Sequence, residues 1–237
     1  MALLLAGPAG AVEANVAVAA NFTGAAEELA AAFKAESGDE VVLSFGATGA
    51  LYTQIAQGAP FDLFLAADEE RPQRAVDDGL GVAGSLFTYA RGKLVLYSAT
   101  LDVSSGIGVL QSGAFEHLAI ADPETAPYGA AARHVLRVLG IHDAVAPKLV
   151  TGENIAQTLL FVESGNAEIG LVALSQVINK TGGSRWLVPP GLYRPIRQDA
   201  VLLRRGTANE AALGFLEFLK GPVARAIIER HGYGLAE

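Results

Sequence analysis

The chain has 237 residues, 51 % hydrophobic and 18 % charged, with a formal net charge of −8 and no cysteine. That apolar content excludes a disordered chain, and the length suits one large domain or two ordinary ones. The negative balance argues against nucleic acid and anionic membranes as partners, and the missing cysteine excludes thiol chemistry, disulfides and a lipid anchor on cysteine.

Residues 1–14 differ from the rest. Ala2-Leu3-Leu4-Leu5-Ala6 is a short apolar run and Val12-Glu13-Ala14 ends in a small residue, the features of a secretory leader without its basic start. We therefore expect an exported protein whose leader begins upstream of Met1; a disordered start or an expression remnant is the rival reading. No apolar run is long enough to cross a membrane.

Asn15 to Ala20 reads as a strand, and Asn21-Phe22-Thr23-Gly24 as a turn. A helix then runs to about Ser37, with Phe22, Ala26, Leu29 and Phe33 on its buried face and Gly38 as its stop. Val41 to Phe45 alternates as a strand, breaks at Gly46, and becomes helical with Leu51 and Ile55 on one side until Gly58-Ala59-Pro60. Thr48 sits where an N-cap hydroxyl would be, so it either caps that helix or donates to a ligand. Phe61 to Ala67 is a buried strand, and Asp68 is placed to cap the next helix, ending at Asp78-Gly79. Alternating strands and helices predict parallel βαβ units, with ligands outside the carboxyl ends of the strands.

Phe87 to Ser98 is long and strand-like, enough to cross between domains. A second α/β set follows. Leu118 to Asp122 is a strand, Pro123 to Pro127 a loop, and a helix from Tyr128-Gly129 runs to Leu139. Asn154 with Gln157 resembles a capping box for a helix from Ile155 to Ser164, and Ile169 to Leu174 is a further strand. Tyr193 to Leu203 could carry the chain back. Thr207-Ala208-Asn209-Glu210 reads as a capping box for a helix to Leu219, and a last helix follows Gly221-Pro222.

Several of these stretches are similar to the periplasmic molybdate-binding proteins of ABC uptake systems. They are Ala19-Ala20-Asn21-Phe22-Thr23, Ser44 to Gly49, Gly58 to Asp68, Asp122 to Gly129 and Leu219 to Pro222. The resemblance implies an α/β fold of two lobes (type II-like), each a mostly parallel sheet flanked by helices, joined by two crossing strands. We expect the first lobe at 15–86 plus 197–237 and the second at 87–196. It also implies one tetrahedral oxyanion, molybdate or tungstate, held by neutral donors at helix starts, no other cofactor, and delivery to a membrane permease by a periplasmic monomer.

Carried over residue by residue, the expected ligand set is Asn21, Thr48, Tyr128 and the main-chain N–H of Ile155. Ala20 and Ala173 depart from positions that carry a hydroxyl or a tyrosine in parts of the family. Taken alone, Asn21 is an ordinary turn residue, Tyr128 a half-buried aromatic and Ile155 core. The proposed donors have no lysine or arginine beside them in sequence, which suits a fully deprotonated dianion; a protonated phosphate would want a carboxylate acceptor. Glu124 and Glu153 are nearby in sequence and are expected to face solvent, because a buried carboxylate beside a dianion is costly. Size argues against sulfate. An enzyme on the same architecture is the weaker reading: the histidines 117, 134, 142 and 231 show no metal spacing, and no nucleophile elbow or phosphate loop is present. No DNA-binding helix–turn–helix precedes the fold to suggest a regulator.

Overall fold

The computed structural model describes residues 12–235; residues 1–11, most of the expected leader, lie outside them. In chain order the main elements are β1 (Glu13–Ala19), α1 (Thr23–Ser37), β2 (Glu40–Gly46), α2 (Thr48–Ala56), β3 (Leu63–Leu65), α3 (Glu70–Asp77), β4 (Phe87–Gly92) and β5 (Leu94–Ser98). They continue as α4 (Ile107–Ser112), β6 (Leu118–Ala121), α5 (Pro127–Val138), α6 (His142–Val145), β7 (Leu149–Gly152), α7 (Ile155–Glu163) and β8 (Ile169–Ala173). The last are α8 (Leu174–Val177), β9 (Ser184–Leu187), β10 (Ile196–Leu202), α9 (Glu210–Phe218) and α10 (Pro222–Arg230).

Two five-stranded sheets result, ordered β2-β1-β3-β10-β4 and β7-β6-β8-β5-β9. In the first, β1 runs parallel to β2 and β3, while β10 is antiparallel to β3 and β4. In the second, β6 is parallel to β7 and β8, and β5 is antiparallel to β8 and β9. Strand β1 explains why its sequence is apolar on alternate and intervening positions alike. Val16 and Val18 enter one cluster with Leu29 and Phe215, while Ala17 packs on the other face with Leu51 and Phe64. A sheet covered on both faces favours apolar side chains on both.

Register places the chemistry. Ala19 at the end of β1 stands opposite Gly46 at the end of β2, and Val18 stands opposite Leu65 at the end of β3. In the second sheet Ala121 stands opposite Gly152. Five parallel strands therefore end at two level rims, and the turns that follow them carry Asn21, Thr48, Ala67, Tyr128 and Ile155.

Several boundaries differ from the sequence reading. Glu13 and Ala14, assigned to the leader, belong to β1, where they pair with Glu40 and Val41; Ala14 is fully buried. The lobe boundary lies later than 86/87. Phe87–Gly92 pairs with β10 in the first sheet, Leu94 pairs with Ala173 in the second, and the crossing is Lys93. The return crossing lies between Leu187 of β9 and Ile196 of β10, at the start of the expected Tyr193 to Leu203 segment and before it. Alternation alone could not reveal this, because one continuous strand-like run, Phe87 to Ser98, serves both sheets. Asp68 accepts the N–H of Arg71 while Glu69 is the formal N-cap of α3. Asn209, not Thr207, caps α9 through the N–H of Ala212; Thr207 gives its hydroxyl to the Arg204 carbonyl. The first long helix of the second lobe, α5, starts one residue early, at Pro127, whose missing N–H costs nothing at a first helical position.

Candidate functional site

Tyr128, Thr48, Asn21 and Ile155 line one small pocket between the lobes, with walls completed by Ala19, Ala67, Ala126 and their neighbours. The cavity is small, about 10 Å³, near what one water needs. Among the described residues no charged side chain and no histidine lines it.

Thr48 is 1 % exposed and is the first residue of α2, with Ala47 as the N-cap. Its hydroxyl is therefore not a cap. The Oγ1 instead accepts the N–H of Ala67 from the end of β3, at 3.0 Å. A hydroxyl that accepts there keeps its one hydrogen to donate, and no protein acceptor takes it among the described residues.

Tyr128 mirrors it from the second lobe. It is 1 % exposed, stands second in α5, and its hydroxyl accepts from Gln198 Nε2 at 3.2 Å. Its own hydrogen is likewise uncommitted. Burial pushes the phenol well above its ordinary value, with the neighbouring tyrosines adding to the effect. It therefore remains a neutral donor throughout the physiological range.

Ile155 opens α7. The side chain of Asn154 takes the N–H groups of Ala156 (2.9 Å) and Gln157 (3.0 Å) and leaves that of Ile155, as an N-cap does. The Gln157 side chain accepts from Glu153 rather than Asn154, so the capping box is displaced by one residue. Gln176 fixes the turn by donating to the Ile155 carbonyl (3.0 Å) and accepting from Ala173 (3.1 Å).

Asn21 differs from the others in its side chain. It lines the pocket and is buried, but both hydrogens of its amide are used, on Gln198 Oε1 and on the Tyr233 hydroxyl, each at 3.0 Å. Its main-chain carbonyl accepts from Tyr233 (2.6 Å) and Ser175 (2.9 Å). The side chain is thus a structural tie, and what Asn21 retains for a ligand is the main-chain N–H at the opening turn before α1.

The residue that sequence reasoning missed is Gln198. Fully buried in β10 beside the bulge that Tyr89 makes in β4, it receives the amide of Asn21, lies 3.2 Å from the Tyr89 hydroxyl, and donates to Tyr128. One side chain thereby joins two lobes. Its sequence carries no signal of this, since Gln198 sits between Arg197 and Asp199 in the polar stretch of the strand. Gly92 makes room for it. A Cβ at Gly92 would overlap the Tyr128 hydroxyl and come within 2.7 Å of Gln198 Nε2. Gly129 has a similar role one residue past Tyr128, since a Cβ there would overlap the Ala121 carbonyl at the end of β6.

The lobes touch directly beside the pocket. Gly49 donates its N–H to the Thr125 carbonyl at 2.8 Å, and Arg71, anchored on Asp68, donates to the Glu124 carbonyl at 2.8 Å. Ala19, Ala20, Ala47 and Ala67 of the first lobe join the apolar cluster of the second. This is a closed arrangement. Glu124 and Glu153 are exposed, as expected.

Starts of helices from both sheets thus meet with two hydroxyl hydrogens that no group among the described residues accepts, an arrangement of dipoles that suits an anion. Residues 14–234 match the family model for bacterial extracellular solute-binding proteins. The chain is 53 % identical to the molybdate-binding protein ModA of Rhodobacter capsulatus, over 97 % of this chain and 91 % of that one. The chain belongs to this family. Within it, the ModA of Escherichia coli K12 is 32 % identical over 98 % of the chain and 94 % of its own length. The periplasmic molybdate-binding protein of Azotobacter vinelandii superposes with a TM-score of 0.91 at 40 % identity, covering 94 % of this chain and all of that one. These relatives are named as binding proteins. The described residues of this chain hold no cluster of three or more potential metal-ligating side chains.

The three tyrosines around Gln198 also set a stability limit. Burial raises the hydroxyls of Tyr89, Tyr128 and Tyr233 above the ordinary tyrosine value. The unfolded chain ionises these groups near pH 10 while the folded one holds their protons, so their stabilisation is complete below about pH 10 and drains away above it. Tyrosinate absorbance and loss of circular dichroism should rise together in an alkaline titration. Tyrosinate from these three groups appearing near pH 10 in a still-folded protein would contradict this burial.

Proposed function

We propose that this protein captures molybdate, or tungstate, as a dianion between its lobes in the periplasm and presents it as a monomer to the permease of an ABC transporter. One observation carries the reading. Thr48 and Tyr128 bring uncommitted hydroxyl hydrogens from opposite lobes to a pocket without a charged side chain. Donors alone suit an oxyanion that carries no proton; a carboxylate acceptor, which a protonated phosphate would need, is absent from the lining. The main-chain N–H groups of Asn21 and Ile155 complete the set, and that of Ala20 takes the place of a side-chain donor.

A hydrogen bond to a charged group is worth about 1.5–3 kcal/mol. Thr48→Ala should therefore weaken molybdate binding roughly tenfold or more, with Thr48→Ser near the parent, by titration calorimetry. Equal affinities for all three would remove Thr48 from the site. Closure is a hinge motion about Lys93 and the 188–195 return. Small-angle scattering should show compaction when molybdate is added; identical profiles with and without it would contradict the hinge.

A further inference from the structure

A net charge of −8 repels the dianion that this site is proposed to hold, so long-range attraction must come from somewhere local. The wider cleft beside the pocket supplies it. Its volume is about 450 Å³, it shares Ala67 and Pro127 with the pocket wall, and it is lined by five arginines: 71, 133, 137, 194 and 197. The first-lobe side is largely neutralised, since Arg71 pairs with Asp68 and Arg197 with Glu69. The other wall is different. Arg137 on α5 and Arg194 on the return crossing are exposed and have no carboxylate within 4.0 Å among the described residues. Arg133, on the same helix, is held by the exposed Glu124.

The helix that carries the cage hydroxyl of Tyr128 thus also carries Arg133 and Arg137. Nine residues of helix place Arg137 about 14 Å from Tyr128 along the axis, and the Debye length at 0.1 M salt is about 10 Å. An ion resting there is within reach of the pocket when the lobes part.

We propose that this arginine-lined cleft is an encounter site, where the tetrahedral oxyanion is first drawn to Arg137 and Arg194 before the lobes close on it. The one-sided charge fits brief capture better than tight retention, because Asp68, Glu69 and Glu70 face the ion from the opposite wall. This rests on the oxyanion-receptor reading above.

The test is kinetic. With no native cysteine, a fluorophore on Thr151→Cys, an exposed position one strand-end from α7, reports molybdate binding in stopped flow. In low salt Arg137→Gln with Arg194→Gln should bind roughly fivefold more slowly, with dissociation unchanged and the gap closing in high salt. Removing the same charge outside the cleft, as Lys220→Gln with Arg225→Gln, should have a smaller effect. The proposal is overturned by an unchanged association rate, by equal slowing in that control pair, or by faster dissociation alone. A parent protein that takes up no molybdate overturns the receptor reading itself, and is seen before any variant is compared.

Discussion

Gly92→Ala should lower molybdate affinity by roughly a hundredfold or more while leaving a folded protein. The added methyl would sit where the Tyr128 hydroxyl and the Gln198 amide meet, overlapping the first and pressing on the second. Both groups are buried and held, so neither can swing into solvent. Displacing the phenol removes its hydrogen from the pocket and breaks the Gln198 bridge between the lobes in the same step. The backbone itself accepts alanine, since Gly92 is not among the glycines with positive φ. Overpacking of this kind costs about 1–3 kcal/mol, which for a chain of this size lowers the melting temperature by several degrees, about 2–4 °C per kcal/mol. Titration calorimetry with a thermal melt separates the two effects. A variant that melts a little lower and binds like the parent would show that the contact is not part of the site.

Tyr128→Phe should weaken binding on the order of tenfold to a hundredfold. It removes the one side-chain hydrogen that the second lobe offers to the ligand. It also leaves Gln198 Nε2 buried without its acceptor, at a cost of about 1–3 kcal/mol in stability. The binding loss should be the same at pH 7 and pH 9, because the parent phenol is held neutral across that range. Parent affinity that itself collapses between those pH values would mean the phenol ionises and is not buried as described. Calorimetry at the two pH values decides it; unchanged affinity in the phenylalanine variant would take Tyr128 out of the cage.

Short-range patterns made part of this molecule legible in its sequence. Strand-then-turn-then-helix junctions at Asn21, Thr48, Tyr128 and Ile155 follow from apolar runs and their breaks, and the family resemblance placed all four on one ligand. What they do for each other was not legible. Whether the Thr48 hydroxyl turns back onto its own helix or across to Ala67 depends on β3 lying beside β1. Asn21 looks like a donor until Gln198 and Tyr233, more than 170 positions away, are seen to take both amide hydrogens. Gln198 was hidden because it stands between Arg197 and Asp199, a polar stretch that gives no sign of which side chain is buried. The crossing at Lys93 was hidden because Tyr89 and Leu94 satisfy the same strand pattern while entering different sheets. The arginines of the cleft are scattered through the chain, and only α5 and the return crossing bring 137 and 194 to one wall.

The central claim is that neutral donors from two lobes enclose one fully deprotonated oxyanion of a particular size. It is tested most directly by competition calorimetry of molybdate and tungstate against sulfate and phosphate on the unmodified protein. One ion should bind per chain, with molybdate and tungstate displacing each other and sulfate and phosphate at least about a hundredfold weaker. Phosphate or sulfate binding as tightly as molybdate, or no molybdate uptake at all, would contradict it.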